Sequence, residues 1–185
     1  MTKRQPQNQT PAFCNYDNST YQEDFWGGGK RAYEDAAEAM ALARLLPKSG
    51  KLMLEIGAGA GRNTLRYEGY ERIVVLDYAL TQVQQARQRL GASPRFIYVA
   101  ADVYRLPFVN ELFDGATMIR VVHHLSQLDP AFAEIQRVMQ THSTLILEYA
   151  NKRNLKAILR WLTGKQKWNP FSTWQIGRAS CRERV

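Results

Sequence analysis

Cysteine is scarce in this chain, and long apolar runs are missing from it. The 185 residues include two cysteines, Cys14 and Cys181, too few for the disulfide framework of a small secreted domain. No run of about 18 apolar residues occurs, so no segment predicts a transmembrane helix. The first residues, MTKRQPQNQTPAF, contain no apolar stretch of the kind found in secretory signals. These absences favour a cytoplasmic protein with a single domain.

Basic residues are in excess, but part of the excess lies in an unusual tail. Residues 176–185 read IGRASCRERV, with neither periodicity nor an apolar anchor. One permitted codon choice for them resembles a common sequencing-library adapter, so we predict a non-native, adapter-derived tail; a genuine basic tail is the alternative. Removing its three arginines and its glutamate lowers the formal net charge from +8 to +6. An excess of this size is weak support for a polyanionic partner.

The rest of the chain is predicted to form one domain behind a polar segment. Residues 1–20 are rich in Gln and Asn, which predicts mobility. Residues 21–174 are predicted to form the domain. An aromatic cluster near its start ends in three glycines, which break regular structure; the cluster either covers a ligand or caps the core. Its members are Tyr16, Tyr21, Phe25 and Trp26.

Strand-like and helical segments alternate along the domain. We predict strands at Leu52–Ile56, Ile73–Leu76, Phe96–Val99, Phe113–Val122 and Thr144–Tyr149. We predict helices at Arg31–Leu46, at Thr81–Leu90 with Gly91 as C-cap, from an N-cap at Asp129 with Pro130 in the first turn, and at Lys152–Leu162. This alternation predicts an α/β fold with a doubly wound, mostly parallel sheet covered on both faces.

A glycine-rich loop and an acidic residue each close a predicted strand. Gly57, Gly59 and Gly61 follow the first strand, and Asp77 ends the second, 20 residues after Gly57. Glycine lets backbone N–H groups approach a ligand closely, and a carboxylate at the end of the neighbouring strand is placed to accept ribose hydroxyls. The pair predicts a nucleoside-containing cofactor, whereas the glycine loop alone would indicate only a tight turn.

The glycine pattern narrows the choice among nucleoside-containing cofactors. Arg62 stands where the dinucleotide fingerprint needs a glycine, and the Gly-Lys-Ser/Thr ending of a phosphate loop is absent. The remaining pattern, Glu55-x-Gly57-x-Gly59-x-Gly61, resembles the first motif of class I S-adenosylmethionine-dependent methyltransferases. Later segments resemble the same family, and the likeness spans about residues 16–160, closest to the type 11 group. Those segments are Ala101–Phe108, Phe113–Asp114 with the following strand to His123-His124-Leu125, and Ser143–Glu148.

The resemblance implies a Rossmann-like fold, S-adenosylmethionine as cofactor and a small-molecule methyl acceptor. It implies that the donor's methionine end is held by the first motif, that Asp77 binds the ribose and that Tyr78 packs on adenine. It also implies that Asp102 accepts from the adenine amino group and that Val103 contacts the ring. The first-motif residues are Glu55, Gly57, Gly59 and Gly61, and Ala58 is assigned to the cofactor site with them. We assign no metal ligands.

This chain departs from the family pattern in two places. Gln140–Ser143 replaces the frequent Pro-Gly-Gly turn before the fifth strand. Family members also continue through two further strands, which this sequence lacks, so the resemblance implies a domain truncated at its C-terminal end. The missing region usually forms part of the acceptor pocket.

Several residues carry two interpretations. His123 or His124 could remove the acceptor's proton, since a free imidazole has a pKa of about 6.5; the alternative is a structural hydrogen bond to backbone. Arg120 is predicted to need a buried acidic partner rather than to contact substrate. The basic stretch Lys152–Trp168 is either a solvated helix face or a contact for lipid headgroups or nucleic acid.

Three functional classes remain at this point. The first is a methyltransferase acting on an O, N or C atom of a small-molecule acceptor, a class that includes lipid-like acceptors. The second is a nucleic-acid methyltransferase, but enzymes acting on exocyclic base amines usually carry Asn/Asp-Pro-Pro-aromatic after the fourth strand. Here that position reads Arg-Val-Val-His-His, and Asn169-Pro170-Phe171 comes too late. The third is a catalytically silent donor-binding module. The sequence leaves the acceptor and the oligomeric state open.

Overall fold

A five-stranded parallel sheet forms the centre of the molecule. The computed structural model describes residues 26–29, 31–149 and 162–164. The predictions for residues 1–20 and 176–185, for three of the clustered aromatic residues and for most of the helix at 152–162 lie outside those residues. The strands are β1 (Gly50–Ile56), β2 (Tyr70–Asp77), β3 (Phe96–Ala100), β4 (Phe113–Met118) and β5 (Met139–Leu147).

The strand order is β3-β2-β1-β4-β5, and every neighbouring pair is parallel. This is the order of a doubly wound α/β fold, in which the chain reverses its direction of travel across the sheet beside β1. The predicted fold class is therefore confirmed. Three α-helices accompany the sheet: α1 (Ala32–Leu45), α2 (Leu80–Leu90) and α3 (Leu128–Val138). None of the helices in the described part of the chain has the length and apolar character needed to cross a membrane.

The central strands are buried on both faces, which explains their apolar runs, Met53–Leu54 in β1 and Ile73–Leu76 in β2. On β1, Met53 packs into a cluster with Leu42 of α1 and Ala86 of α2. The next residue, Leu54, points to the opposite face and packs into a cluster that contains Ile135 of α3. Two of the helices therefore cover one face and the third covers the other.

Two predicted boundaries are wrong for identifiable reasons. The fourth strand ends at Met118 instead of Val122, because Arg120 adopts a positive φ of 59°, which cannot continue an extended strand. Helix α3 has Gln127 as its N-cap and begins at Leu128, so Asp129 and Pro130 lie in its first turn. An acid is favourable there, and a proline needs no hydrogen-bond acceptor there.

The start of β5 also differs from the prediction. The strand was expected to begin at Thr144, after a turn at Gln140–Ser143, and it begins at Met139. The strand follows α3 directly at Met139, and its pairing with β4 is irregular between Phe113 and Gly115. Within the irregular stretch His142 has a φ of 65°, and regular pairing resumes where Gly115 faces Thr144. The turn expected at Gln140–Ser143 is thus a distortion inside the strand. At the end of α2, Gly91 is the C-cap with a φ of 80°, as predicted.

Candidate functional site

A cavity opens at the carboxyl ends of the first four strands, which is where ligands bind in sheets of this type. The turn after each of these strands contributes to its wall. Eight of the nine residues predicted to bind the cofactor line it. They are Glu55, Gly57, Ala58, Gly59, Asp77, Tyr78, Asp102 and Val103.

The glycine loop after β1 is forced into its course by close packing. The φ angles of Gly57, Gly59 and Gly61 are 71°, 54° and 73°, a region that side-chain-bearing residues rarely adopt. A Cβ atom at Gly57 would lie 2.2 Å from Cγ2 of Val121. The loop can therefore pass beside the turn that follows β4 only because position 57 has no side chain.

The N–H groups of this loop are largely occupied within the protein. The N–H of Ala58 donates to the carbonyl oxygen of Leu76 at 2.9 Å, and that of Gly61 donates to the carbonyl oxygen of Ala58 at 3.0 Å. The N–H of Gly59 donates to Oδ2 of Asp77 at 2.8 Å. These three N–H groups therefore have acceptors within the protein, and the assignment of the glycines to the cofactor stays a prediction.

The carboxylate of Asp77, at the end of β2, connects β2 to the glycine loop after β1. Its Oδ2 accepts from Gly59 and its Oδ1 accepts from the N–H of Ala79 at 2.9 Å. These two backbone bonds fix the carboxylate at the cavity wall. At the end of β3, Oδ1 of Asp102 accepts from the N–H of Tyr104 at 2.9 Å. Two carboxylates are thus held at the cavity by the backbone after neighbouring strands.

Gly61, the ninth predicted residue, supports the loop from behind. It is not among the residues that line the cavity. A Cβ atom there would lie 2.8 Å from Cδ1 of Leu90 and 3.2 Å from Oγ1 of Thr64. Its missing side chain therefore lets the loop pack against the end of α2, and the structure brings it to the site only indirectly.

Glu55, at the end of β1, is buried in a network of hydroxyl groups. Its Oε2 accepts from Oγ1 of Thr64 at 2.5 Å, and its Oε1 accepts from the hydroxyl of Tyr67 at 3.1 Å. Tyr67 in turn accepts from Oγ1 of Thr117 at 3.0 Å. Burial raises the pKa of Glu55 to about 7, against the lowering effect of these two donors and of the Arg62 charge. The carboxyl group therefore titrates close to neutral pH.

A second polar group at the cavity is built from ion pairs. Glu38 of α1 accepts from Arg62, and its Oε1 accepts from Nε of Arg120 at 2.6 Å. The prediction that Arg120 has an acidic partner is confirmed. The Arg62 guanidinium also pairs with Asp35 and stacks over Trp26, 3.6 Å from the ring centroid. Trp26, Arg62 and Arg120 all line the cavity, so α1 is fastened over it.

The two candidate histidines lie in the short 3-10 turn after β4. His124 lines the cavity, whereas His123 is not among the lining residues. Their rings are neighbours, with centroids 3.9 Å apart. Burial, together with the Arg120 charge, lowers the pKa of His123, which favours a neutral imidazole at neutral pH. The backbone N–H of His124 donates to the carbonyl oxygen of Val121 at 2.8 Å.

Sequence analysis missed most of the polar partners around the cavity. Tyr67 and Thr117 have no motif of their own and reach Glu55 only through the fold. Glu38 pairs with Arg120, 82 positions further along the chain. Arg62 was notable only as a residue that is not glycine. A buried arginine calls for an acid, but the sequence offers many acids and no means of choosing Glu38.

A match to a protein-family model in the central part of the chain identifies the family. A family model described as a methyltransferase domain matches residues 54–147, just over half of the 185 residues. The chain belongs to the methyltransferase domain family. The match runs from β1 to the last residue of β5 and so contains the glycine loop, Asp77, Asp102 and both histidines.

Curated relatives of this methyltransferase domain are longer than the chain. It is 26% identical over 151 residues to 24-methylenesterol C-methyltransferase 2 of Arabidopsis thaliana, covering 71% of the chain and 42% of the relative. It is 28% identical over 102 residues to demethylmenaquinone methyltransferase of Thermobifida fusca, covering 54% and 43%. The chain thus spans less than half the length of these two relatives.

A solved structure shows the same fold. Phosphoethanolamine N-methyltransferase 1 of Haemonchus contortus, in complex with phosphoethanolamine and S-adenosylhomocysteine, matches with a TM-score of 0.58. The match covers 64% of this chain and 26% of that chain at 18% identity. At this level of identity the likeness supports the fold and not the substrate.

Proposed function

We propose that this methyltransferase domain binds S-adenosylmethionine at the ends of β1, β2 and β3 and transfers its methyl group to a small-molecule acceptor. The observation that carries the proposal is the junction at Asp77, whose carboxylate is fixed at the cavity by the N–H groups of Gly59 and Ala79. A carboxylate fixed at this point of the fold suits the two hydroxyls of a ribose.

The chemistry of the cavity wall fits this cofactor better than a dinucleotide. A pyrophosphate needs free backbone N–H groups, but those of Ala58, Gly59 and Gly61 already have acceptors. The wall instead offers Asp77, Asp102 and the titratable Glu55. Such groups suit a ligand with hydroxyls, an amino group and a positive charge. In the proposed arrangement Asp77 binds the ribose, and Tyr78, Asp102 and Val103 surround the adenine.

The same proposal assigns the methionine end to the loop after β1. Glu55, Gly57, Ala58 and Gly59 would hold it, with Gly61 supporting the loop against α2. S-adenosylmethionine supplies an activated methyl group on a sulfonium, so its sulfur leaves as a neutral thioether. The protein's own task is to hold donor and acceptor in line and to exclude water. In this proposal, Trp26 and the ion-paired arginines close the cavity for that purpose.

The acceptor is proposed to be a small organic molecule that enters beside the turn after β4. The cavity wall there contains the apolar residues Ile119, Val121 and Leu125 together with His124. The two curated relatives are named for sterol and quinone substrates, which supports an apolar acceptor. We further propose that residues 21–174 form the domain and that the protein acts in the cytoplasm.

Replacing Asp77 tests the proposed cofactor. Asp77→Ala is expected to weaken binding of S-adenosylhomocysteine about 10-fold to 100-fold, because hydrogen bonds to a charged group are lost. Titration calorimetry on the full chain measures the change. NAD should bind the unmodified protein more weakly than S-adenosylhomocysteine does, and tighter binding of NAD would contradict the cofactor assignment.

Asp114 provides a matched control at the other end of the sheet. Its carboxylate also accepts two backbone N–H groups, from Lys51 at 2.6 Å and from Leu52 at 2.9 Å, but it does not line the cavity. Asp114→Ala should therefore lower the free energy of unfolding while leaving the affinity of the folded protein unchanged. Equal affinities of the Asp77 and Asp114 variants would remove the support for a ribose site at Asp77.

A further inference from the structure

Gln82 is a buried polar residue in the cavity wall to which neither the sequence nor the family motif assigns a role. It lies in the first turn of α2, just after the Asp77 junction, and its backbone N–H donates to the carbonyl oxygen of Ala79 at 3.1 Å. The residue is 2% exposed. It lines the same cavity as Asp77 and Tyr78.

Both polar atoms of its side chain lack a partner. Neither Nε2 nor Oε1 of Gln82 makes a hydrogen bond within the described residues. A buried amide left in this state destabilises the folded protein, and native proteins leave few such groups. The free energy of folding alone therefore does not favour glutamine at position 82.

The rest of α2 shows what folding alone selects. The other buried positions of the helix are the apolar residues Val83 and Ala86, whereas Gln84 lies exposed to solvent. A methionine at position 82 would fill a similar volume without unsatisfied atoms. The amide is therefore suited to a partner that enters the cavity.

The position of Gln82 indicates which part of a ligand it meets. It follows the end of β2, as Tyr78 does, whereas Glu55 lies at the end of β1. An amide presents a donor and an acceptor side by side, and adenosine offers the matching pair on the adenine edge and on each ribose hydroxyl. Glutamine pairs with adenine in this way in nucleic-acid recognition.

We propose that Gln82 binds the nucleoside half of the methyl donor through both atoms of its amide. This inference rests on the proposed function, because it takes S-adenosylmethionine as the ligand. It adds a specificity residue that favours adenosine, since an apolar residue at the same place would pack against any flat ring. Gln82 makes the ligand-free protein less stable and the complex tighter.

The variant Gln82→Met separates these two effects because they have opposite signs. In the ligand-free full chain the melting temperature should rise by about 2–6 °C, since buried unsatisfied atoms are removed. The affinity for S-adenosylhomocysteine should fall about 10-fold. The matched control is Gln84→Met. It introduces the same side chain two residues further along α2, at a position exposed to solvent. It should change neither quantity appreciably.

A shorter ligand locates the contact. 5′-Methylthioadenosine contains the nucleoside and the sulfur but not the amino-acid end, so Gln82→Met should weaken its binding by the same factor as that of S-adenosylhomocysteine. Loss of affinity for S-adenosylhomocysteine alone would overturn the assignment to the nucleoside. A lower melting temperature with unchanged affinity would show that the amide has a partner within the folded chain, which also overturns the proposal.

The unmodified protein distinguishes failure of this inference from failure of the proposed function. If it binds S-adenosylhomocysteine and Gln82→Met binds equally well, the role of Gln82 is wrong while the proposed function stands. If the unmodified protein binds neither S-adenosylhomocysteine nor 5′-methylthioadenosine, the proposed function is wrong and the inference falls with it.

Discussion

The two polar groups around the cavity are built on different principles. The floor, formed by hydroxyl groups around a buried carboxyl, contains no positive charge within hydrogen-bond distance of Glu55 among the contacts that the described residues make. The rim, formed by ion pairs between α1 and the loops after β1 and β4, holds each charge with an opposite one. The floor comprises Glu55, Thr64, Tyr67 and Thr117, and the rim comprises Trp26, Asp35, Glu38, Arg62 and Arg120.

This difference between the floor and the rim indicates which part of the cavity can change its charge when a ligand binds. Burial raises the pKa of Glu55 to about 7, so this carboxyl group can gain or lose a proton near neutral pH. A carboxylate held by two arginines, such as Glu38, serves to join the segments that carry them. The floor can therefore answer the charge of a bound molecule, while the rim mainly fixes α1 over the cavity.

The largest expected effect is a loss of turnover. It concerns His124, in the turn after β4, which belongs to neither the floor nor the rim. If His124 takes a proton from the acceptor, His124→Ala should reduce turnover about 10²-fold to 10⁴-fold while donor affinity stays unchanged. His123 does not line the cavity, so His123→Ala should have the smaller effect. Single-turnover methyl transfer to a panel of small acceptors measures both.

An acceptor that is already strongly nucleophilic, such as a thiolate or a carbanion, needs no proton acceptor. The panel should therefore include an alcohol or a phenol. A decrease below about threefold for both variants, against the 10²-fold expected of general-base catalysis, would leave the histidines with structural roles.

The second prediction concerns the floor and pH. The pKa of Glu55 is about 7 in the folded protein, against a reference value of 4.5. The folded state therefore binds the proton more tightly than the unfolded state, so stability from this group is fully present below pH 4.5 and is lost as the pH rises towards 7. The amide in Glu55→Gln does not titrate in this range, so the free energy of unfolding of this variant should depend less on pH.

Urea unfolding at a series of pH values checks this expectation. Between pH 4.5 and 8 the unmodified protein should lose stability relative to Glu55→Gln by an amount on the order of 2–3 kcal/mol. Parallel pH profiles for the two proteins would show that the pKa of Glu55 is the same in the folded and unfolded states, which contradicts a raised pKa in the floor. Comparing the two profiles removes the contributions of all other titrating groups.

The floor and the rim also differ in how far the sequence predicts them. Strand positions and the loop from Glu55 to Gly61 follow from local patterns, because apolar runs and glycines act on their immediate neighbours. Arg120 shows the limit of this reasoning: its positive φ ends β4 early, and its acidic partner is 82 positions away. Gln82 belongs to none of the motifs, and only its position in the fold shows that it is buried.

The smallest effect is expected from a comparison of two glutamates on α1. Glu38 has a side chain that is 10% exposed and pairs with Arg62 and Arg120. Glu34 pairs with Arg31 at 3.4 Å, and the side chains of Glu34 and Arg31 are 41% and 35% exposed. Glu38→Gln should lower the free energy of unfolding by about 1–2 kcal/mol, because it leaves two partly buried arginines without their shared carboxylate. Glu34→Gln should change it by less than about 0.5 kcal/mol.

The salt dependence of the two variants sharpens this comparison. Exposed pairs are screened by salt while buried pairs are screened much less, so the effect of Glu38→Gln should persist in about 1 M NaCl, where the Debye length is only about 3 Å. The small effect of Glu34→Gln should disappear there. If both variants behave alike at low and high salt, the ion pairs around Trp26 do not fasten α1. The helix would then be held mainly by the packing of Leu42, and rim and floor would no longer differ as fixed and responsive parts of one cavity.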